Sequence, residues 1–292
     1  MSRNTRSLIA ELTPPIVVRL ARQIAPGMFS AKKLLPRYMA GRFATYGEAS
    51  RAAGVGYESE QMADAVLAKT QSFRELLAEG KLVTSTFDRV AMALMAVGDV
   101  GPELRVIDFG GAFGTHYWIA KSLLGDRVRL RWHVVETPVV CARGAQLAND
   151  ELKFFDSLDA AKRALGEPHL VYSDGVLHAL PDPIDALRRL IQCRARYLCL
   201  RRIGTTEPAT FTVLHIRLSD HEPDVPLPAS IEDGPSPLAL ACPTRDSVER
   251  ALGERYTIRY RFGGPSQVYP HGDVTVSMFG YFCELSSGQS RQ

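Results

Sequence analysis

The chain has 292 residues, of which 46% are hydrophobic and 23% are charged. These fractions are those of an ordinary globular protein, and the length suits one large domain or one domain with a smaller helical appendage. The formal net charge of +3 is too small to indicate a nucleic-acid-binding surface, so we expect no nucleic-acid partner.

The cysteines contain no C-x-x-C pair, which argues against a zinc or redox motif, and we expect no metal site. Their odd number, without a secretion signal, is typical of a protein of the reducing cytoplasm. They are Cys141, Cys193, Cys199, Cys242 and Cys283. No run reaches the roughly 18 apolar residues of a transmembrane helix.

Residues 8–24 carry apolar side chains at helical spacing, with Arg19 and Arg22 on the polar face. Two interpretations compete: a helix that packs on the domain or contacts a partner, and a basic amphipathic helix that rests on a membrane surface. The apolar face is short and the basic residues are few, which favours packing.

Residues 44–97 have the pattern of three helices, at Tyr46–Ala53, at 59–77 and at 87–97. We therefore predict that residues 1–98 form an N-terminal helical extension. Helices placed here would cap a cofactor, exclude water and add side chains to a substrate pocket. The alternative is a plain extension that stabilises the edge of a sheet.

Residues 106–118 read VIDFGGAFGTHYW, a short apolar run followed by Gly110, Gly111 and Gly114 and then by an apolar, aromatic segment. A strand, a glycine loop and a helix in this order are typical of a nucleotide site, because the backbone can approach the ligand and the helix start offers N–H groups. Asp108 precedes the loop. Glu136 ends the next apolar run, where an acid can accept both ribose hydroxyls.

Two cofactors differ in how well they suit this loop. A pyrophosphate, as in NAD, would be repelled by Asp108, whereas a ligand with an ammonium and a sulfonium group would be attracted. The stretch therefore resembles motif I of the class I S-adenosylmethionine-dependent methyltransferases, D-x-G-x-G-x-G, with Ala112 in place of the middle glycine. The remaining alternative is a glycine-rich turn that binds no ligand.

Strands and helices alternate after the loop, which predicts a parallel sheet with helices on both faces. The predicted strands are 105–109, 129–136, 152–155, 169–172 and 197–203, and the helices are 138–149, one that follows Asp156-Ser157, and 182–192. Residues 204–243 form a proline-rich insert with one strand, FTVLHIRL, typical of a substrate lid or a partner surface. A helix at 244–252 and strands at 256–262 and 274–285 follow, and residues 287–292 look disordered.

The order of these segments is similar to a poorly characterised family of class I methyltransferases, often linked to bacterial surface-polysaccharide and secondary-metabolite genes. The likeness covers residues 44–283. It implies an α/β, Rossmann-like class I methyltransferase fold, with a mostly parallel seven-stranded sheet whose last strand is antiparallel, and an N-terminal helical cap. It also implies a methyltransferase domain at 99–286, with S-adenosylmethionine as cofactor.

By the same resemblance, Asp108 with the glycine backbone would bind the methionine moiety, and Glu136 would bind the ribose. Asp156 or Ser157 would lie near the adenine amino group, and Ser173 would line the pocket. Alternatives are a helix-capping role for Asp156 and Ser157, and a surface position for Glu136.

Two histidines are candidate bases for an oxygen acceptor: His178 in GVLHALPDP, and His215 in the insert strand. The alternative for His178 is a structural hydrogen bond to the backbone. His116 and Tyr117 are expected to contact the cofactor or close the pocket. The sequence YSDG around Ser173 lacks the signature of DNA amino-methyltransferases, which argues against base methylation.

We therefore expect an S-adenosylmethionine-dependent methyltransferase acting on a small molecule or glycan, at oxygen. Two other functions remain open. One is an NAD-dependent oxidoreductase or epimerase, which Asp108 disfavours. The other is a non-catalytic cofactor-binding scaffold subunit, in which His178 and the insert would serve assembly.

Overall fold

The computed structural model describes residues 38–81, 84–98, 101–269 and 274–286. The helix predicted at residues 8–24, with the membrane contact considered for it, and the predicted disordered tail at 287–292 lie outside these residues. No helix in the described ranges is long and apolar enough to cross a membrane.

The strands are β1 (Tyr38–Phe43), β2 (Glu103–Phe109), β3 (Arg129–Val135), β4 (Leu152–Phe155), β5 (Leu170–Asp174), β6 (Tyr197–Thr205), β7 (Thr210–His215), β8 (Leu238–Cys242), β9 (Tyr256–Tyr269) and β10 (Val276–Leu285). The α-helices are α1 (Tyr46–Ala53), α2 (Glu60–Ala78), α3 (Thr84–Val97), α4 (Thr115–Leu124), α5 (Pro138–Gly144), α6 (Leu158–Leu165), α7 (Pro183–Ile191) and α8 (Arg245–Gly253). Each element predicted between residues 44 and 285 is present, with ends that shift by up to seven residues, the largest shift being at the end of β9.

The large sheet has seven strands in the order β4-β3-β2-β5-β6-β10-β9. Strands β2 to β6 pair in parallel, and β10 is antiparallel to both β6 and β9. This is the mostly parallel, Rossmann-like sheet with an antiparallel last strand that the resemblance implied, so the predicted fold is confirmed.

Alternate residues of β2 reach two different hydrophobic cores, as side chains on a strand buried on both faces must. Ile107 packs in a core that includes residues of α6, α7 and α8. Val106 packs in a core with residues of α2, α3 and α4. The sheet is therefore the middle of three layers. Because α3 shares its core with β2 and β3, residue 98 does not separate two cores, and the predicted domain boundary there stays a prediction.

A second, antiparallel sheet of three strands has the order β1-β7-β8. Strand β1 lies within the segment predicted to be helical, which corrects that prediction for Tyr38–Phe43. Strand β8 lies in the proline-rich insert, for which only the strand at β7 was predicted. The insert and the N-terminal segment thus form one small sheet, which stands beside the carboxyl edge of the large one.

Candidate active site

A cavity of about 630 Å³ lies at the carboxyl edge of the large sheet. Its lining includes the residues that follow β2, β3, β4 and β5, on both sides of the point where strand order reverses between β2 and β5. Ligands of open α/β sheets bind at such a point. The volume lies within the range of roughly 300–1,000 Å³ that small-molecule sites occupy.

The glycine loop between β2 and α4 is tightly packed against its own surroundings. A Cβ atom on Gly110 would lie 2.1 Å from Cγ2 of Val176, and one on Gly111 would lie 2.3 Å from Oδ2 of Asp108. Gly110 and Ala112 both have positive φ, at 73° and 48°. Ala112 therefore keeps the left-handed backbone of the glycine that the motif has there, at some cost in strain.

Asp108 does not face the cavity. Its side chain is fully buried, and both carboxylate oxygens lie 3.0 Å from Nδ1 of His116. Oδ2 also accepts a hydrogen bond from Nε1 of Trp132 at 2.9 Å. This geometry argues against the predicted direct contact between Asp108 and a bound methionine moiety. The carboxylate instead joins the end of β2, just before the glycine loop, to α4 and β3.

His116 and Tyr117 also lie away from the cavity lining. Burial alone would lower the pKa of His116, but the facing carboxylate of Asp108 raises it above its ordinary value. The hydroxyl of Tyr117 donates to Glu151 at 3.0 Å. Both side chains therefore hold α4 in place, and the predicted cofactor contact has no geometric support.

Glu136 lines the cavity at the end of β3, as the sequence predicted. Its Oε1 accepts from the N–H of Ala112 at 3.0 Å, and its Oε2 accepts from the N–H of Thr137 at 2.9 Å. Burial raises its pKa above the ordinary value, although these two N–H groups act in the opposite direction. A carboxylate has about four lone-pair sites, so two remain for a ligand.

Asp156, Ser157 and Ser173 lie in three different environments. Asp156 is exposed and lines the cavity beyond β4. Ser157 is the N-cap of α6, where its hydroxyl accepts from the N–H of Ala160 at 3.2 Å, so the capping alternative holds for Ser157. Ser173 is buried outside the cavity lining, and its hydroxyl has no hydrogen-bond partner among the described residues.

His178 lines the cavity, but its ring has a structural role. Its Nδ1 accepts a hydrogen bond from the backbone N–H of Gly204 at 3.2 Å. Because that N–H can only donate, the neutral ring must carry its proton on Nε2 and presents a donor there. Burial, with the nearby Arg202, lowers the pKa of His178 to about 4. Both observations oppose a base role near neutral pH.

His215 points away from the cavity. Its neighbours Leu214 and Ile216 line the cavity, and successive side chains on a strand point to opposite faces. The imidazole of His215 stacks on Tyr38 with 4.4 Å between ring centroids and 7° between planes. The geometry therefore gives no support to His215 as a base.

Four charged side chains, which we call the charge quartet (Arg89, Asp174, Arg202 and Glu222), meet at the cavity. Arg89 and Arg202 each donate from Nε to the Asp174 carboxylate. Oε1 of Glu222 lies 2.6 Å from Nη2 of Arg89 and 2.8 Å from Nη1 of Arg202. The quartet thus joins α3, β5, β6 and the insert with two charges of each sign.

The quartet fixes both carboxylates in their ionised form. Burial alone would raise the pKa of Asp174 and of Glu222, but Arg202 and Arg89 lower both below their ordinary values. Thr86 adds a hydrogen bond from its hydroxyl to Glu222. No local sequence pattern indicates the quartet, since its members are far apart in the chain.

Arg202 reaches the quartet because of an irregularity in β6. Ile203 pairs with Phe279 and Leu200 with Tyr281, so Arg201 and Arg202 together lie opposite one residue of β10. Arg202 has φ of 49°, a strained value for arginine. Bulges of this kind re-aim side chains beside binding sites, and here the bulge directs Arg202 to the cavity.

A buried lysine anchors the insert to α2. Lys69 of α2 is fully buried, and its Nζ donates to the carbonyls of Ser219, at 2.7 Å, and of His221. His221 and Glu222 both line the cavity. The insert and the N-terminal helices therefore line one side of the cavity together, and the cap and lid roles stay predictions.

Comparison with known proteins finds similarity at the level of solved structures. No protein-family model matches the sequence, and no curated protein matches it. The chain is similar to an S-adenosylmethionine-dependent methyltransferase from Clostridium acetobutylicum, at 9% identity and a TM-score of 0.44 over 75% of this chain and 98% of that one. It is also similar to Burkholderia thailandensis 1,6-didemethyltoxoflavin-N1-methyltransferase with bound S-adenosylhomocysteine, at 13% identity and a TM-score of 0.45 over 86% and 94%.

A third similar structure is human N-acetylserotonin methyltransferase in complex with S-adenosylmethionine, at 14% identity and a TM-score of 0.43 over 79% of this chain and 58% of that one.

Within the described residues, no group of three or more His, Cys, Asp and Glu side chains is placed to hold a metal ion.

Proposed function

We propose that the protein is an S-adenosylmethionine-dependent methyltransferase that acts on a small molecule. The observation that carries the proposal is the antiparallel β10, inserted between β6 and β9 in a sheet whose switch point holds the glycine loop and Glu136. A dinucleotide-binding sheet in the usual order has six parallel strands and a G-x-G-x-x-G loop. This chain has neither, because β10 is antiparallel and because Thr115 stands where the last glycine of that loop would be.

The residues present fit that cofactor. Glu136 offers its two remaining lone-pair sites to the ribose hydroxyls, and its carboxylate is already oriented by two backbone N–H groups. The glycine loop provides a backbone surface beside it, and Asp156 stands at the far end, where an adenine amino group would lie. The bound cofactor would supply a methyl group on a sulfonium carbon.

The protein's own contribution is to hold an acceptor in line with that carbon and to exclude water. Positioning of this kind can supply about 7–11 kcal/mol of the barrier. The β7–β8 face, α1 and the insert close around the acceptor side. Oxygen as the methylated atom and a glycan as acceptor stay predictions, and neither candidate histidine is placed as the base that an alcohol would need.

One argument against the NAD-dependent alternative no longer holds, and two others remain. Repulsion by Asp108 no longer opposes it, because the carboxylate is buried, but the loop spacing and the position of β10 still do.

For the scaffold alternative, the quartet and His178 do serve assembly of the cavity wall. A cavity of about 630 Å³ that remains beside them favours a binding function.

Isothermal titration calorimetry of the purified chain with S-adenosylmethionine, S-adenosylhomocysteine and NAD tests the proposal. We expect both sulfur compounds to bind and NAD to give no heat. Binding of NAD alone would move the protein to the oxidoreductase class, and no binding of any of the three would refute a cofactor site.

A further inference from the structure

The side of the cavity away from Glu136, which we call the acceptor half, has an apolar and aromatic wall. Its wall is formed by Tyr46, Tyr57, Leu214, Ile216, Leu240 and Met278. Leu214 comes from β7 and Ile216 directly follows that strand, while Leu240 comes from β8 and Met278 from β10. No Asn or Gln side chain of the described residues lines any part of the cavity. Such a wall can bury apolar surface, but it offers few groups that could replace water on a polyhydroxylated ligand.

Four of the polar side chains that line the cavity are held by the protein itself. The hydroxyl of Tyr46 donates to the carbonyl of Ala179 at 2.7 Å. Asp174 and Glu222 are held by two arginines, and Nδ1 of His178 is held by Gly204. A sugar placed here would lose hydrogen bonds to water without gaining equal ones from the wall, and each unmade bond carries a cost.

The same contacts decide whether the protein can remove a proton from an acceptor. Asp174 and Glu222 stay ionised but each shares its charge with two guanidinium groups, which makes both weak proton acceptors. His178 presents an N–H from Nε2 rather than a lone pair. Asp174 lies at the tip of β5, His178 lies just beyond it, and Glu222 faces them from the insert together with Arg202 of β6. His221 of the insert also lines the cavity, and its Nε2 is paired with Oγ of Ser236 at 2.9 Å. An aliphatic or sugar hydroxyl would have to lose its proton without help from them.

Resting on the proposed function, we propose that the acceptor is a compact, largely apolar ring compound whose reacting atom is unprotonated near neutral pH, as in an aromatic amine or an acidic ring hydroxyl. The acceptor's lone pair forms the bond to the methyl carbon, the carbon–sulfur bond breaks, and its electron pair goes to sulfur. An amine then releases its proton to water. A sugar hydroxyl is excluded as acceptor.

Two panels of acceptors with labelled methyl donor test this. One panel contains ring compounds of graded acidity: 4-nitrophenol, 4-cyanophenol, phenol, benzyl alcohol and aniline. The other contains methyl glycosides of similar size. We expect methyl transfer to aniline and to the phenols, and none to benzyl alcohol or to the methyl glycosides. The pH of half-maximal turnover should differ between the phenols and follow each phenol's own acidity. Transfer to a glycoside, or one inflection shared by all phenols, would overturn the proposal.

Binding to the protein loaded with S-adenosylhomocysteine gives a second measurement. Leu214→Gln should weaken the binding of the ring compounds roughly tenfold, because it adds an amide to the apolar wall. His215→Gln, on the opposite face of the same strand, is the matched control and should leave it unchanged. If S-adenosylhomocysteine binds but no ring compound does, this proposal is wrong. If S-adenosylhomocysteine itself does not bind, the proposed function has failed.

Discussion

Replacing Asp108 should destabilise the fold, and should affect cofactor binding only through that loss. In Asp108→Ala, the Nε1–H of Trp132 and the ring of His116 both lose their partner in a fully buried place. Breaking a buried charged pair costs about 3–5 kcal/mol. Asp108→Asn keeps an acceptor for Trp132 and loses only the charge, so we expect a smaller cost of about 1.5–3 kcal/mol.

The sign of the pH dependence follows from His116, whose pKa is raised in the folded protein. The stabilisation from the pair is fully present below the unfolded pKa of about 6.5 and is lost as the pH rises through the raised folded value. The difference in unfolding free energy between wild type and Asp108→Asn should therefore be larger at pH 6 than at pH 9.

Urea unfolding followed by tryptophan fluorescence and circular dichroism, at both pH values, gives these free energies. Asp150→Asn, a change at an exposed acid before β4, is the matched control and should stay within about 0.5 kcal/mol of wild type. An Asp108→Ala protein that keeps wild-type stability but loses affinity for S-adenosylhomocysteine would show that the carboxylate faces the cofactor after all.

Three further substitutions separate structural from chemical roles. His178→Ala should lose about 1–3 kcal/mol of stability because the Gly204 N–H loses its acceptor, while the pH profile of turnover keeps its shape. Loss of an inflection from that profile would restore the base role. Glu222→Gln should cost about 1–3 kcal/mol, constant from pH 8 to 5 and smaller below, since its lowered pKa removes the stabilisation only as the pH falls; urea midpoints that converge toward alkaline pH would contradict this. Ser157→Ala should cost about 1 kcal/mol as a lost helix cap, and calorimetry should show unchanged cofactor affinity unless the hydroxyl binds the adenine.

The strands of the large sheet were predictable because they are short apolar runs buried on both faces and bounded by turn residues. Strands β1 and β8 were not, because their stability comes from distant pairing and not from local pattern. The hydroxyl of Thr212 donates to the carbonyl of Ala40, 172 positions away. No short-range signal in YMAGRF or LALAC predicts such a pairing.

The candidate site also has a part that was predictable from the sequence and a part that was not. The glycine loop and Glu136 were found because both follow apolar runs whose carboxyl ends must meet at one edge of the sheet. The direction of the Asp108 side chain was not, because it depends on Trp132 of the neighbouring strand. The charge quartet was missed since Arg89 and Glu222 are 133 positions apart and the insert contains no pattern that fixes its path over the cavity.

The affinity of Glu136→Gln for S-adenosylhomocysteine, measured by calorimetry, tests the proposed cofactor site most directly. Glu136 is the one predicted cofactor residue whose charged group both lines the cavity and is held in place by the glycine loop. An amide in its place should weaken binding about 10- to 100-fold, the equivalent of roughly 1.5–3 kcal/mol for a hydrogen bond to a charged group. The control Glu167→Gln, at an exposed acid on the opposite edge of the sheet, should bind like wild type. Equal affinity in wild type and both variants would contradict the account.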